Sequence, residues 1–246
     1  LMTHVIYAFA NPKTNPPPKA GVGNPYGGTG PEGYHTKEKG YTAANGYSDA
    51  ECTPDPNPKG QDWGVCFKAY EMSPYEWDDI RLYKEMKEAR DAQGSDAQMI
   101  LSIGGWSFGT NVFSDMAKTK EHRDLFIASS MKLAVDHGFV GIDLDWEYPG
   151  TTAAIDKAQG LDPDGNPKYG GRTWTAEQAA IDKPNYCTLL REYKAAIKAK
   201  SQGVIDDFSL SIAASANPSI VPNGYDFDCM KETLDWVGIM SYDLHG

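Results

Sequence analysis

The sequence predicts an α/β fold that is built around a parallel sheet. Apolar runs typical of buried strands alternate with amphipathic segments of helical period along the 246 residues, and this order is the signature of strand–helix–strand units. One α/β barrel needs about 250 residues, so the length suits a single domain over residues 1–246. An open, doubly wound sheet gives the same alternation, and spacing alone therefore allows both architectures.

The predicted elements can be placed in chain order. Strands are predicted at 4–10, 98–103, 139–147, 208–214 and 236–242, and helices at about 77–94, 120–137, 184–197 and 226–234. Ser73-Pro74-Tyr75-Glu76 has the pattern of a capping box with proline at the first helical position, so it is predicted to begin the first helix. Pro184 is predicted to open the third helix. Two segments without a hydrophobic period, at about 11–63 and 151–183, are predicted to be long loop insertions.

The composition limits the kinds of partner. A formal net charge of −11 and a pI near 4.9 argue against nucleic acid, because phosphates demand a basic surface. An aromatic share of 11% suits a neutral carbohydrate, because aromatic rings stack on the apolar faces of sugars. The sequence contains no run of 18 or more apolar residues, so no membrane partner is expected.

The four cysteines show no C-x-x-C spacing, which argues against a zinc or thioredoxin-like site. Cys52 and Cys66 lie in or beside the first long loop, where a disulfide of a secreted protein is expected. Four reduced thiols, with Cys187 and Cys229 among them, are the alternative.

One apolar run, from Phe139 to Pro149, contains three carboxylates at alternate positions. Side chains alternate across a strand, so Asp143, Asp145 and Glu147 are predicted to share one face. Burying unpaired charge is expensive, and an ordinary core strand would not carry three such groups. The sequence therefore predicts an active site on this strand.

Asp-x-Asp-x-Glu followed by Tyr148-Pro149 resembles the signature of the family 18 glycoside hydrolases, the chitinases and their relatives. Leu101-Ser102-Ile103-Gly104-Gly105-Trp106 is similar to the third-strand motif of that family, and Met240-Ser241-Tyr242-Asp243 is similar to its sixth-strand motif. The three motifs occur in order, and the resemblance runs from residue 5 to the last residue. It implies a (β/α)8 barrel.

The ends of the chain fit a part of such a barrel. Residues 1–6 resemble the second barrel strand of the family, and His245-Gly246 lies just past the sixth. The chain is therefore expected to be an excerpt that lacks barrel strands one, seven and eight.

The acidic strand has the groups for glycoside hydrolysis. Its neighbouring inward residues lie about 6.5–7 Å apart at Cα, so their carboxylates repel each other. One proton shared among them raises the pKa of the carboxyl that holds it. A carboxyl that is protonated near neutrality can act as general acid, and Glu147 is the outermost candidate. The general scheme would use Asp145 or Asp143 as nucleophile or base, whereas family 18 uses the acetamido group of its substrate.

The resemblance implies a role for each matching residue. Glu147 would protonate the leaving oxygen, Asp145 would hold the amide N–H of the N-acetyl group, and Asp143 would support Asp145 from behind. Tyr242 would donate its hydroxyl to the acetyl oxygen, and Asp243 would assist near Asp145. Plain core packing is the alternative for the residues expected to line the sugar sites, which are Phe9, Trp106, Tyr148 and Met240.

The expected activity is cleavage of β-1,4-linked N-acetylglucosamine polymers with retention. An endo-β-N-acetylglucosaminidase or a chitin-binding lectin on an inactive barrel is the alternative, and the intact Glu147 argues against the lectin. No metal or cofactor is implied, and a secreted monomer is expected. One departure from the family pattern is Val140, where the family has an Asp three residues before Asp143.

Overall fold

The computed structural model describes residues 3–12, 41–42, 46–47, 72–74, 79–106, 110–151 and 176–242. The strands are β1 His4–Pro12, β2 Tyr41–Thr42, β3 Gly46–Tyr47, β4 Met72–Pro74, β5 Gln98–Gly104, β6 Gly141–Asp145, β7 Ser209–Ser215 and β8 Trp236–Met240. The helices are α1 Asp79–Ala92, α2 Thr110–Lys118, α3 Lys120–Asp136, α4 Ala176–Lys198, α5 Val221–Gly224 and α6 Phe227–Thr233, with a 3-10 turn at Ser201–Gly203.

Six of these strands form one sheet in the order β4-β1-β5-β6-β7-β8. The five strands from β1 to β8 in that order are parallel, and β4 is antiparallel to β1 at the edge. Parallel strands that follow chain order without reversal belong to a barrel, because a doubly wound sheet reverses its order at a switch point. The strand order therefore separates the two architectures that spacing alone allowed.

The sheet curves strongly. His4 of β1 and Trp236 of β8 lie on the same face by register, and their ring centroids are 6.1 Å apart. Four strand spacings in a flat sheet would amount to about 19 Å. The face that carries these two rings is therefore the concave, inner face of a barrel wall.

The outer face packs against the helices and forms the hydrophobic core. Leu101, Ile142, Leu144 and Trp146 are fully buried in that layer. The Trp146 indole stacks on Phe113 of α2 at 5.5 Å between ring centroids. Burial of each large apolar side chain contributes about 1.5–3 kcal/mol, so this layer supplies the main stabilisation of the sheet.

The capping box predicted at 73–76 is wrong at its first two positions. Ser73 and Pro74 lie in β4, where they pair with Asn11 and Ala10 of β1, and α1 begins only at Asp79. A local helix-start pattern is overridden here by pairing with a strand that is distant in sequence. Proline is tolerated because β4 is an edge strand.

The start predicted for the third helix is also wrong. Helix α4 begins at Ala176, and Pro184 lies in its interior. A proline there removes one backbone hydrogen bond, but the buried face already starts at Ala179 and Asp182 and continues through Tyr186. Packing of that face outweighs the lost bond. The helix therefore occupies the last part of the predicted insertion at 151–183.

Two other predictions concern the start of β6 and the first loop insertion. The alternation of β6 does not extend back to Phe139, whose ring packs edge-on against Tyr83 in the helix layer. Its N–H donates to the Ala134 carbonyl, so this residue still belongs to the turn that ends α3. The predicted insertion at 11–63 overlaps β1 and the β2–β3 hairpin, and the remainder of that segment lies outside the described residues.

The structure contains a disulfide that the sequence did not predict. Cys187 of α4 is bonded to Cys229 of α6, with their Cα atoms 5.8 Å apart. It connects the two helices that flank β7 in the chain. The predicted Cys52–Cys66 bond lies outside the described residues.

Candidate active site

Strand β6 places Asp143 on the inner face between two serines. Its register pairs Asp143 with Ser102 of β5 and with Ser211 of β7. The Ser102 hydroxyl donates to Asp143 Oδ2 at 3.0 Å, and the Ser211 hydroxyl donates to Oδ1 at 2.6 Å. The side chain is only 4% exposed. Burial raises the pKa of Asp143, and the two serine hydrogen bonds oppose that rise.

Asp145 lies one pleat further towards the carboxyl end of β6 and is 7% exposed. Burial raises its pKa to about 8, and the charges of Glu147 and Asp143 add to the rise. Within the described residues, Asp145 Oδ1 is buried without a hydrogen-bond partner. Asp145 thus holds a proton at neutral pH and has a buried oxygen that can bind a polar group of a ligand.

Glu147 lies two residues beyond Asp145, in the turn that follows β6, and is half-buried. It contributes to the raised pKa values of Asp145 and of Tyr148. For Tyr148 the largest cause is burial, followed by the charge of Glu147 and a hydrogen bond with it. The structure therefore brings the three predicted carboxylates together, with burial decreasing from Asp143 towards Glu147.

The end of β5 approaches the backbone of β6 beside this cluster. A Cβ on Gly104 would lie 2.2 Å from the Asp145 carbonyl oxygen, and Gly104 has a φ of +118°. The next N–H, of Gly105, donates to the same carbonyl at 2.9 Å. The Phe9 ring covers Gly105, since a Cβ there would lie 2.7 Å from it. The two glycines thus let the end of β5 lie against the β6 backbone, and Phe9 lies against the second of them.

Two aromatic side chains border the carboxylates at the carboxyl end of the parallel strands. The rings of Trp106 and Tyr148 are tilted against each other with centroids 6.3 Å apart, and Trp106 is 44% exposed. An indole this exposed beside a phenol offers an apolar surface for a sugar face.

The sixth-strand motif lies at the same end of the sheet. Met240 ends β8 opposite Ser215 of β7 and is half-buried. Tyr242, two residues further on, is 68% exposed. Asp243 lies outside the described residues.

Sequence reasoning missed three residues of this site. Ser102 and Ser211 could have been found from alternation, because a hydroxyl on the inward face of an apolar strand needs a polar partner. Tyr225 follows α5, is buried, and accepts a hydrogen bond from the Ser215 N–H at 3.0 Å. Burial raises its pKa, and Asp145 and Glu147 add to that effect. No local pattern identifies Tyr225.

Within the described ranges, no group of three or more His, Cys, Asp or Glu side chains could hold a metal ion. Nor is any helix there both long enough and apolar enough to cross a membrane.

The sequence of this chain is similar to known proteins over most of its length. It is 28% identical over 177 residues to Chitotriosidase-1 of Mus musculus, a match that covers 72% of this chain and 33% of the mouse protein. It is 30% identical over 182 residues to a Probable endochitinase of Caenorhabditis elegans, covering 73% of this chain and 25% of the nematode protein. The chain thus spans a third or less of these two relatives.

A solved structure shares the fold. The immunomodulatory active chitinase TsES1 of Trichuris suis matches with a TM-score of 0.55 and 32% identity, over 72% of this chain and 40% of that one. The family model for Glycosyl hydrolases family 18 matches residues 1–246. The predicted barrel fold is confirmed, and the chain belongs to glycosyl hydrolase family 18.

Proposed function

We propose that this chain carries the catalytic carboxylates of a chitinase, which cleaves β-1,4-linked N-acetylglucosamine polymers with retention by using the substrate's acetamido group. The observation that carries the proposal is the group of three carboxyls on β6 and the turn after it, in which burial decreases from Asp143 to Glu147. Asp145 is buried, has a pKa of about 8 and has an oxygen without a partner among the described residues, and Glu147 lies beside it at the more exposed end. This combination offers a binding group for an amide and an acid for a glycosidic oxygen.

Burial argues against the general retaining scheme with a protein nucleophile. In that scheme a carboxylate attacks the anomeric carbon from about 5–5.5 Å across the bond from the acid. Asp143 has both oxygens occupied by serine hydroxyls, and Asp145 is nearly as buried. Neither is placed to form a bond to a sugar ring. A nucleophile that belongs to the substrate removes this difficulty.

The proposed reaction has two steps. The proton held by Asp145 passes to Glu147, and Glu147 donates it to the glycosidic oxygen as the bond from that oxygen to the anomeric carbon breaks. The acetyl carbonyl oxygen bonds to the same carbon and gives an oxazolinium ion, and Asp145 accepts the amide N–H and stabilises the positive charge. Water then gives a proton to Glu147 and bonds to the anomeric carbon, which restores the acetamido group and retains the configuration.

The remaining predicted residues complete the proposal. Tyr242 would donate to the acetyl oxygen, with Asp243 assisting near Asp145, and Phe9, Trp106, Tyr148 and Met240 would line the sugar sites. A secreted monomer that binds chitooligosaccharides is also part of it. The Cys187–Cys229 disulfide supports secretion, because such bonds persist in oxidising compartments.

Glu147→Gln in the complete protein tests the assignment. The amide keeps the shape of the side chain but cannot give a proton, so kcat on chitooligosaccharides is expected to fall by about 10²–10⁴. Glu88→Gln, on the exposed surface of α1, is the matched control and should retain wild-type turnover. Oligosaccharide affinity, measured by calorimetry, should change little in both variants.

The outcomes separate the alternatives. A wild-type protein that binds chitooligosaccharides without cleaving them would be a lectin. Cleavage of the chitobiose core of a glycopeptide in preference to chitooligosaccharides would indicate the endo-glycosidase. Turnover of Glu147→Gln within a few-fold of wild type would refute the role of Glu147.

A further inference from the structure

Another buried carboxyl lies behind the turn that carries Glu147. Asp182 of α4 is 0% exposed and is not part of the cluster on β6. Its Oδ1 accepts from the Ser114 hydroxyl of α2 at 2.5 Å, and its Oδ2 accepts from the Gly150 N–H at 3.1 Å. Asp182 thus connects two helices of the outer layer to the turn, three residues beyond Glu147.

The other side of the turn is held through Thr110 at the start of α2. The Trp146 indole N–H donates to Thr110 Oγ1 at 2.6 Å, and that hydroxyl donates to the Tyr148 carbonyl at 3.0 Å. Thr151 donates to the same carbonyl at 2.8 Å. Thr110 thus holds the turn through the Trp146 side chain and the Tyr148 carbonyl, and Gly150 is the next point at which a buried side chain holds its backbone.

Gly150 also lies close to α5. Its φ is +73°, and a Cβ there would lie 2.5 Å from the Asn223 carbonyl oxygen. The Gly150 backbone is therefore closely packed against α5 and is also hydrogen-bonded to Asp182. Asp182 provides a buried carboxylate acceptor to this turn.

The interactions of Asp182 are unfavourable for stability alone. Both donors are neutral, and burial raises the pKa of Asp182 to about 6, with the hydrogen bonds from Ser114 and Gly150 opposing that rise. A buried carboxylate that meets only neutral donors costs more than an apolar side chain of similar size.

We propose that Asp182 is a positioning residue for Glu147, which holds the Gly150 end of the turn so that the Glu147 carboxyl stays at its place beside Asp145. The inference rests on the proposed function for its kinetic readout. The proposal concerns the position of the Glu147 carboxyl relative to the Asp145 carboxyl, and that position can be followed without a substrate.

Three variants of the complete protein test the proposal. Asp182→Ala removes the acceptor, Asp182→Asn keeps an oxygen for the Gly150 N–H but removes the charge, and Ser114→Ala removes one donor to Asp182. A displacement of about 1 Å can cost about 10²-fold in rate. We therefore expect kcat of Asp182→Ala to fall by about that factor with KM changed less than about threefold, whereas Asp182→Asn should recover most of the turnover.

The second readout is the pKa of Asp145, followed by carbon NMR of its carboxyl. The charge of Glu147 raises this pKa in the wild type, so a displaced Glu147 should lower it. The pKa should fall in Asp182→Ala and stay unchanged in Asp182→Asn and in the control Glu88→Gln. A purely structural role of Asp182 would lower the melting temperature without this change.

The outcomes decide the proposal in each case. Unchanged kcat and unchanged Asp145 pKa in a folded Asp182→Ala variant would overturn it. If that variant does not fold, Ser114→Ala is measured in its place. An unchanged kcat together with an unchanged Asp145 pKa in Ser114→Ala would then overturn the proposal. A wild type without hydrolytic activity would refute the proposed function, and the NMR titration would still test the positioning of Glu147.

Discussion

The two faces of β6 are equally buried and energetically opposite. On the outer face Ile142, Leu144 and Trp146 are packed among helices, and each contributes to stability by leaving water. On the inner face Asp143 and Asp145 have lost almost as much contact with water, and for a carboxyl that loss is unfavourable. This strand therefore stabilises the fold with one side and carries buried carboxyls on the other.

A second difference lies within the inner face. Asp143 accepts a hydrogen bond at each oxygen, whereas Asp145 has an oxygen without a partner in the part of the chain that the structure describes. Burial and the charges of Glu147 and Asp143 raise the pKa of Asp145 to about 8. The deeper carboxyl is a satisfied structural element, and the outer one is available to a ligand.

The largest effect on stability is expected on the outer face. Leu144→Ala removes a fully buried side chain between sheet and helices, and the free energy of unfolding should fall by about 2–5 kcal/mol. Urea denaturation measures this change. The remaining folded protein should keep the wild-type KM, and a loss confined to activity would show that the two faces are not separable.

An intermediate effect with a defined pH dependence is expected at Asp145. Its folded pKa of about 8 exceeds its ordinary value of 3.8, so its contribution to stability is fully present below pH 3.8 and is lost as pH rises through 8. Asp145→Asn removes this dependence, and the variant should be more stable than the wild type at pH 8 by roughly 1–3 kcal/mol.

Urea denaturation of both proteins at pH 5 and at pH 8 measures the difference. Asp207→Asn, in the exposed turn before β7, is the control and should behave as the wild type at both values. Equal stability of the Asp145→Asn variant and the wild type at pH 8 would contradict the buried, raised carboxyl.

The smallest effect is expected at the serines that bind Asp143. Ser211→Ala removes one hydrogen bond that lowers the pKa of Asp143, so that pKa should rise further. The free energy of unfolding should fall by about 0.5–1.5 kcal/mol at neutral pH. Carbon NMR titration and urea denaturation test the two parts separately, and a fall in the Asp143 pKa would show that the serine does not support the ionised form.

The local part of this arrangement was predictable, and the part that depends on distant residues was not. Alternation along one strand correctly placed Asp143 and Asp145 on a common face, and the motif identified Glu147 beyond them. The serine partners required the register between strands, which no single segment contains. Asp182 lies on α4, whose start was predicted at the wrong residue. Pro184 favours a helix start through its local conformation, whereas packing against distant residues determines where α4 begins.

Pro74 gives the same lesson at the edge of the sheet. Its helix-start pattern was sound by local propensity, yet pairing with β1 determined its conformation. Local signals therefore identified the carboxyls proposed to react, whereas the neighbours that orient them are set by tertiary contacts.

The hydrogen bonds of Asp143 also disfavour alternative sheets in which the strands pair in a shifted register. Because side chains alternate, a slip of one residue in either parallel pairing would turn Asp143 away from the hydroxyls of Ser102 and Ser211 and towards apolar neighbours. The misregistered sheet would then contain a buried carboxyl without donors on both sides. Asp143 thus gives the native alignment of three strands an energetic advantage over its near competitors, although it adds little to the stability of that alignment itself.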